Sequence, residues 1–298
     1  MAQLTPMMQK YVETKEQYKD CILFYRLGDF YEMFFDDAIR ASKALEITLT
    51  GKDCGLEERA PMCGVPYHAV DTYLNKLISK GFKVAICEQV EDPKQAKGLV
   101  KREVIRVVTP GTNLNTQALD ETKNNYLMCV VCTEDRYGIS IVDITTGEYL
   151  VTEVDSDRKL LDEITKYSPT ELICNQSFLV SGVEIDDLRS RLGISVFPLD
   201  AWYFDDALCT RSLTDHFHVS SLEGLGLGDY NCGVIAAGAL LQYLTETQKS
   251  GLENLTSLTA YSIGKYMILD SSTRRNLELC ETLREKNKRG SLLWVLDK

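Results

Sequence analysis

Three apolar segments in close succession constrain the fold of this chain most strongly. Residues 125–132, 137–144 and 147–154 each have the length and the apolar, β-branched content of a strand, and four residues or fewer join each to the next. Parallel neighbours need a crossover of a dozen or more residues, so such short connections join antiparallel strands. The pattern therefore predicts a three-stranded antiparallel meander.

Helices and strands alternate after the meander. Residues 157–168 and 186–193 have helical patterns, and the apolar runs 171–175 and 194–199 follow them as strands. A long apolar helix is predicted over 230–249. Three antiparallel strands followed by this alternation resemble the ribonuclease H-like architecture, which is an analogy of fold only.

The N-terminal block, residues 1–115, is predicted to be a separate mixed α/β domain. Helical patterns cover 4–18, 35–46 and 68–81, and strand patterns cover 21–27, 47–50, 82–90 and 103–112, with a loop running to residue 60. Polar segments then mark the predicted domain boundaries, and the predicted fold class is mixed α/β. The predicted organisation is a first domain 1–115, a linker 116–124, a ribonuclease H-like domain 125–250, and the start of a mostly helical domain at 251–298.

The charge is unevenly distributed along the chain. The net charge is −11, which taken alone argues against nucleic acid as a partner. However, residues 1–115 carry as many basic as acidic side chains, and the excess of acid lies in 116–260. The N-terminal block can therefore still present a basic face.

The hydropathy pattern predicts a cytoplasmic protein, so the ten cysteines are expected to lie in a reducing compartment. No run approaches the roughly 18 apolar residues that a membrane span needs, and no signal peptide is evident. Most cysteines lie in apolar runs, where a free thiol behaves as a small hydrophobic group. Cys129 and Cys132 form a CxxC, but no second pair follows at zinc-site spacing, so no metal is predicted.

The most informative motif is the run LFYRLGDFYEMFFDDA at residues 23–38. In an extended chain successive side chains point to opposite faces, so Phe30 and Glu32 are predicted to project together. In a helix they would lie about 200° apart and could not cooperate. The alternative is ordinary packing, with Phe30 in the core and Glu32 at its rim.

Several longer motifs resemble the MutS family. Residues 28–38, 61–74, 85–93 and 106–112 are similar to its N-terminal mismatch-binding domain. Residues 269–279 and 289–297 are similar to the opening of its core, or lever, domain. Residues 116–260 then correspond to the connector domain, which is ribonuclease H-like in that family. The resemblance implies recognition of mispaired bases and small loops in duplex DNA, which initiates mismatch repair.

The resemblance also assigns roles to two residues. The family's Phe-x-Glu motif matches Phe30 and Glu32, so Phe30 is expected to intercalate beside the mispaired base and Glu32 to hydrogen-bond that base. Residues 94–106 carry five basic side chains against Glu103 alone, a density that can neutralise several phosphates. The candidates for contact with the DNA backbone are Lys52, Arg59, Tyr67, His68, Lys97, Lys101, Arg102 and Arg106.

These residues are not expected to form an enzyme by themselves. No phosphate-binding loop of the form GxxxxGK[ST] occurs, so the resemblance implies ATP and Mg²⁺ for a longer parent protein and no cofactor for this chain. It also implies a MutS-type partner subunit and downstream proteins such as MutL, reached through the connector. Two alternatives stay open: a metal-dependent nuclease using Asp143, and a protein-interaction module suggested by the acidic connector.

Overall fold

The computed structural model describes residues 3–91, 98–113, 124–249, 252–265, 267 and 269–297. A first compact unit contains the N-terminal part of the chain, and a second contains most of the residues after position 127. Each unit is built around one six-stranded sheet.

The first sheet has the strand order β3-β4-β2-β1-β5-β6. Its neighbours are antiparallel except for β1 and β5, which run parallel. An additional strand, β4, pairs with both β2 and β3, although the sequence did not predict it. The strands are β1 Cys21–Leu27, β2 Phe30–Phe34, β3 Thr50–Lys52, β4 Ala60–Pro66, β5 Lys83–Gln89 and β6 Arg102–Val108.

Helices cover both faces of this sheet, as the continuous apolar run in β1 predicts. One face packs against α2 (Phe35–Leu45) and α3 (Val70–Ile78), and the opposite face packs against α1 (Pro6–Gln17). Successive strand residues alternate between these two cores, which places Ile22 and Phe24 under α2 and α3. The alternation decides which face each site residue occupies.

A buried carboxylate connects α1 to the segment that follows β2. Asp37 is 1% exposed, and its Oδ2 accepts a hydrogen bond of 3.0 Å from the backbone N–H of Leu23. Lys15 of α1 places its Nζ 2.9 Å from the other oxygen of Asp37. The chain enters α2 directly from β2, so this ion pair fixes the helix close to the strand that carries the Phe-x-Glu motif.

Two predicted boundaries in this unit were wrong. The strand predicted at 47–50 begins only at Thr50 and continues to Lys52, because pairing with β4 is what makes it a strand. The helix predicted over 68–81 begins as a 3-10 turn, Tyr67–Ala69, and continues as α3. The start of β3 is set by its pairing with β4, and the start of the helix is set by the end of β4.

The second sheet confirms the predicted meander. Its order is β11-β10-β7-β8-β9-β12, so the three meander strands are consecutive neighbours. β10 and β11 pair in parallel, as do β9 and β12. The strands are β7 Leu127–Cys132, β8 Tyr137–Asp143, β9 Glu148–Val154, β10 Glu171–Cys174, β11 Ser195–Pro198 and β12 Thr259–Ala260.

Helices alternate with the later strands of this sheet, which confirms the mixed α/β fold class. The long helix predicted over 230–249 is present as α8. The helices are α4 Asp157–Tyr167, α5 Gln176–Leu179, α6 Ile185–Ser190, α7 Asp206–Phe217 and α8 Cys232–Gln248. Across the described ranges, no helix has both the length and the apolar character that crossing a bilayer requires.

The last segment is less helical than its sequence pattern predicts. The run STRRNLELCETLRE predicts a helix over 272–285, but α9 covers only Ser271–Asn276, and α10 covers Leu292–Leu296. Leu277 and Leu283 are more than half exposed. Short helices depend on burial of an apolar face for most of their stability, and these side chains have little of it.

Candidate nucleic-acid interface

Strand ends and connecting segments gather at one end of the first sheet. Phe30 directly follows the β1–β2 turn and lies opposite Pro66 of β4, after which the 3-10 turn 67–69 begins. β5 runs parallel to β1, and its last residue, Gln89, lies opposite Arg102 at the start of β6. The β1–β2 turn, the 3-10 turn, the end of β5 and the start of β6 therefore share one end of the sheet, here named the hairpin end.

Phe30 projects from the sheet at the hairpin end. Its side chain is 47% exposed, whereas Phe34, on the same strand and the same face, is 1% exposed. Tyr31 and Met33 are buried on the opposite face, under α2 and α3. Phe30 and Glu32 thus point the same way, as the alternation predicted, and Phe30 is not a core residue.

Glu32 forms an ion pair that the sequence did not predict. The Nζ of Lys52 lies 2.5 Å from Oε2 of Glu32, and the Glu32 side chain is 16% exposed. The same Nζ lies 5.4 Å from the centre of the Phe34 ring, so Lys52 extends along the sheet face towards the hairpin end. Glu32, predicted to bind the mispaired base, and Lys52, predicted to contact the DNA backbone, therefore neutralise each other's charge in the free molecule.

Arg26 is a site residue that the sequence analysis missed. Its guanidinium carbon lies 4.0 Å from the centre of the Tyr67 ring, and its Nε donates to the carbonyl of Gly28 at 2.5 Å. An ion pair of 3.5 Å joins it to Glu88, which also accepts a hydrogen bond from the Tyr31 hydroxyl. The available signal was a charged residue inside the otherwise apolar strand CILFYRL.

Burial and this hydrogen bond also affect the Tyr31 hydroxyl. Desolvation raises the pKa of Tyr31 well above its usual range, and the hydrogen bond to Glu88 raises it further. The phenol therefore stays protonated at physiological pH and can donate to Glu88.

Two residues of the predicted basic segment differ in their surroundings: Lys101 is exposed, whereas Arg102 is held by hydrogen bonds to the backbone. Lys101 has a 68% exposed side chain and pairs with Glu103 at 2.6 Å, and that hydrogen bond raises the pKa of Lys101. Arg102 instead donates to the backbone carbonyls of Arg26 at 2.7 Å and Val100 at 2.8 Å. Its guanidinium thus ties the start of β6 to β1. Lys94 and Lys97 lie outside the described residues.

Of the remaining predicted DNA-backbone contacts, His68 lies at the hairpin end, whereas Arg59 and Arg106 do not. His68 is exposed at the hairpin end, edge-on to Tyr67. Arg59 is exposed just before β4 starts, about 20 Å along that strand from Pro66 at the usual rise per residue. Arg106 lies opposite Ile86 on the face covered by α2 and α3, where burial lowers its pKa.

Asp143 is the last residue of β8, where the strand leads into a turn. Asp143 is fully buried, and its Oδ1 accepts hydrogen bonds from the backbone N–H of Thr145 at 2.8 Å and its hydroxyl at 2.6 Å. In the part of the chain that the structure describes, no three His, Cys, Asp or Glu side chains are grouped as a metal site. Burial raises the pKa of Cys129 and Cys132. Nothing here favours the nuclease alternative.

Comparison with protein families finds two matches, placed one after the other. The model described as MutS domain I matches residues 5–117, and the model described as MutS domain II matches residues 125–259. Together they include both sheets except Ala260, the last residue of β12.

Whole-chain comparison finds similar proteins that are considerably longer. A DNA mismatch repair protein MutS of Lachnoclostridium phytofermentans is 68% identical over the whole chain, which covers 32% of that protein. Proteins with the same name from Acetivibrio thermocellus and Ruminiclostridium cellulolyticum are 56% and 54% identical over the whole chain, which covers 34% of each. The chain thus spans about a third of the length of the curated relatives it matches.

Proposed function

The chain belongs to the MutS family, and on that premise we propose that its first domain, residues 1–115, detects mispaired bases and small loops in duplex DNA and so initiates mismatch repair. The observation that carries the proposal is the exposure of Phe30 at the end of a paired hairpin. A large aromatic side chain in that position has little to pack against within its own domain, and a base pair step offers it a partner.

Phe30 acts as a wedge that tests how easily a base pair step opens. Inserting an apolar side chain between base pairs costs a few kcal/mol of stacking energy per step. A mispaired step has already lost part of its stacking and pairing energy, so it opens at lower cost than a matched step. The wedge therefore selects deformable sites without depending on their sequence.

Glu32 adds a penalty against matched DNA. A carboxylate near phosphates is repelled unless it gains a hydrogen-bond donor or a proton. A mispaired base can rotate to offer such a partner, whereas a matched base is already satisfied by its complement. In the free protein Lys52 balances the Glu32 charge, so this penalty appears in full only when Lys52 moves towards a phosphate.

Residues around the hairpin end hold the DNA backbone. Lys101 and His68 are exposed there, and Tyr67 presents a 44% exposed ring with a hydroxyl. Such contacts position the duplex without reading its sequence. We include Lys97 in this group only because of its charge and its position in the basic segment 94–106.

We further propose that this chain corresponds to part of a longer protein, which would supply the remaining functions. We assign residues 125–250 to the connector domain, which would contact downstream repair proteins such as MutL, and residues 251–298 to the start of the core domain. The full-length protein would be an ATPase requiring ATP and Mg²⁺, would pair with a MutS-type subunit, and would work in the bacterial cytoplasm or nucleoid.

The direct test is a pair of titrations at one salt concentration. The chain, or the full-length protein if the chain binds too weakly, is added to a labelled matched duplex and to the same duplex with one G·T mispair. Tighter binding to the G·T duplex supports the proposal. Equal binding contradicts mismatch recognition, no binding to either duplex favours the interaction module, and metal-dependent cleavage favours the nuclease.

We expect Lys101→Gln to weaken binding to matched and mismatched duplex alike. Removing a side chain that neutralises one phosphate should flatten the slope of log affinity against log salt concentration by roughly 0.9. Lys159→Gln is the matched control, because Lys159 also forms an exposed ion pair, 2.7 Å from Asp155, but lies in the second unit. An unchanged slope for Lys101→Gln would remove this residue from the interface.

A further inference from the structure

Arg26 contacts the three segments that meet behind Phe30. Its Nε donates to the Gly28 carbonyl in the β1–β2 turn, its guanidinium lies over the Tyr67 ring, and its NH1 reaches Glu88 of β5. Only 17% of its side chain is exposed. A guanidinium can make all three contacts at once because it combines a planar face with several fixed N–H directions.

Arg26 lies on the opposite face of the sheet from Phe30. It is paired across the hairpin with Tyr31, which is buried under α2 and α3, whereas Phe30 is paired with Leu27 on the α1 face. The turn is held a second time by the backbone N–H of Tyr67, which donates to the Asp29 carbonyl at 2.9 Å. The segment carrying Phe30 is thus braced from behind.

We propose that Arg26 is a positioning residue for mismatch recognition, which holds the β1–β2 turn rigid so that Phe30 enters the base stack and is not pushed back. The inference rests on the proposed function. Arg26 touches no base in this role and acts only through Gly28 and Tyr67.

The reason is mechanical. A wedge that separates base pairs experiences an opposing force from the stack, and a two-residue turn that contains Gly28, at φ 58°, has few contacts of its own to resist it. If the turn yields, Phe30 retreats and the difference between matched and mispaired steps shrinks. Bracing therefore affects selectivity more than overall affinity.

The test uses the full-length protein with Arg26→Gln, Arg26→Lys, Phe30→Ala and Arg40→Gln. Arg40 is the matched control, because its guanidinium lies 5.4 Å over the Phe82 ring in the same domain and its ion pair is with Asp36 of its own helix. Affinities for matched and G·T duplexes are measured, together with the fluorescence of 2-aminopurine beside the mispair at saturating protein, which reports unstacking. Thermal melting monitors the fold.

We expect Arg26→Gln to lower the mismatch-to-match ratio about tenfold, equivalent to about 1.4 kcal/mol, and to reduce the fluorescence at saturation. Arg26→Lys keeps the charge near Glu88 but loses the planar stack, so it should show a smaller loss in the same direction. Arg40→Gln should change neither the mismatch-to-match ratio nor the fluorescence. If Arg26→Gln fails to fold, the ratio and the fluorescence measured for Arg26→Lys decide the question.

Three results would overturn the inference. An unchanged ratio would show that the turn needs no brace, and an equal loss on both duplexes with a flatter salt slope would make Arg26 a phosphate contact. A lower melting temperature with unchanged fluorescence would leave it a purely structural residue. Loss of selectivity in Phe30→Ala but not in the Arg26 variants would refute this inference alone, whereas a wild-type protein without selectivity would refute the proposed function itself.

Discussion

Phe30→Ala is expected to remove most of the preference for mispaired DNA while leaving the fold intact. Stacking of an aromatic side chain on a base is worth about 1–3 kcal/mol, so affinity for a G·T duplex should fall roughly fivefold to 150-fold. Matched DNA, into which the wedge does not enter, should be bound almost as before. Titrations with both duplexes and a thermal melt of the same preparation measure these effects together.

Phe34→Ala is the control that the structure provides. It removes the same side chain from the same face of the same strand, but Phe34 is 1% exposed whereas Phe30 is 47% exposed. The Phe34 variant should lose about 3–5 kcal/mol of unfolding free energy, and the Phe30 variant about 1 kcal/mol at most. A melting temperature that falls as far for Phe30→Ala as for Phe34→Ala would make Phe30 a structural residue.

Glu32→Ala is expected to tighten binding to matched DNA, although removing a polar contact usually weakens binding. The carboxylate faces a strongly negative partner, and its removal also frees Lys52, 2.5 Å away, to attract phosphate. A charge interaction of about 1 kcal/mol in water corresponds to roughly a fivefold gain in affinity for matched duplex. Glu32→Gln keeps an acceptor, so it should retain mismatch binding near wild type while also tightening matched binding.

Lys52→Met separates the two partners of this pair. It leaves the Glu32 carboxylate without its balancing charge, so affinity should fall for both duplexes, and more for the matched one. The double variant Glu32→Gln with Lys52→Met should recover part of the loss, because neither charge then remains. The coupling free energy from this cycle of four proteins measures the ion pair directly.

Two outcomes would contradict the charge argument. If the Glu32 variants weaken binding to matched and mispaired DNA equally, Glu32 is structural and the role carried over from the family motif is wrong. If the effects of Glu32→Gln and Lys52→Met simply add, the ion pair has no influence on binding. Lys159→Gln with Asp155→Asn is the matched control, because that exposed pair has nearly the same length, 2.7 Å, but lies in the second unit.

Local sequence patterns accounted for most of the fold. Apolar strand patterns located β1, β5 and β6, the extended interpretation of the Phe-x-Glu motif located β2, and short connections determined the meander β7–β8–β9. The element missed in the first sheet was β4, whose sequence APMCGVP contains two prolines and a glycine and has low strand propensity. It is a strand because β2 and β3 pair with it on either side.

That Phe30 and Glu32 share a face follows from the sequence alone, because the two-residue period of a strand is a local property of the backbone. The family was also evident from the sequence, since the motifs are continuous runs. The distant partners of Glu32 and Arg26 became apparent only in the three-dimensional fold, which places Lys52 at Glu32 and both Tyr67 and Glu88 at Arg26. Those contacts depend on the register between strands far apart in the chain, and that register is set by how the whole sheet buries its two apolar faces against α1, α2 and α3.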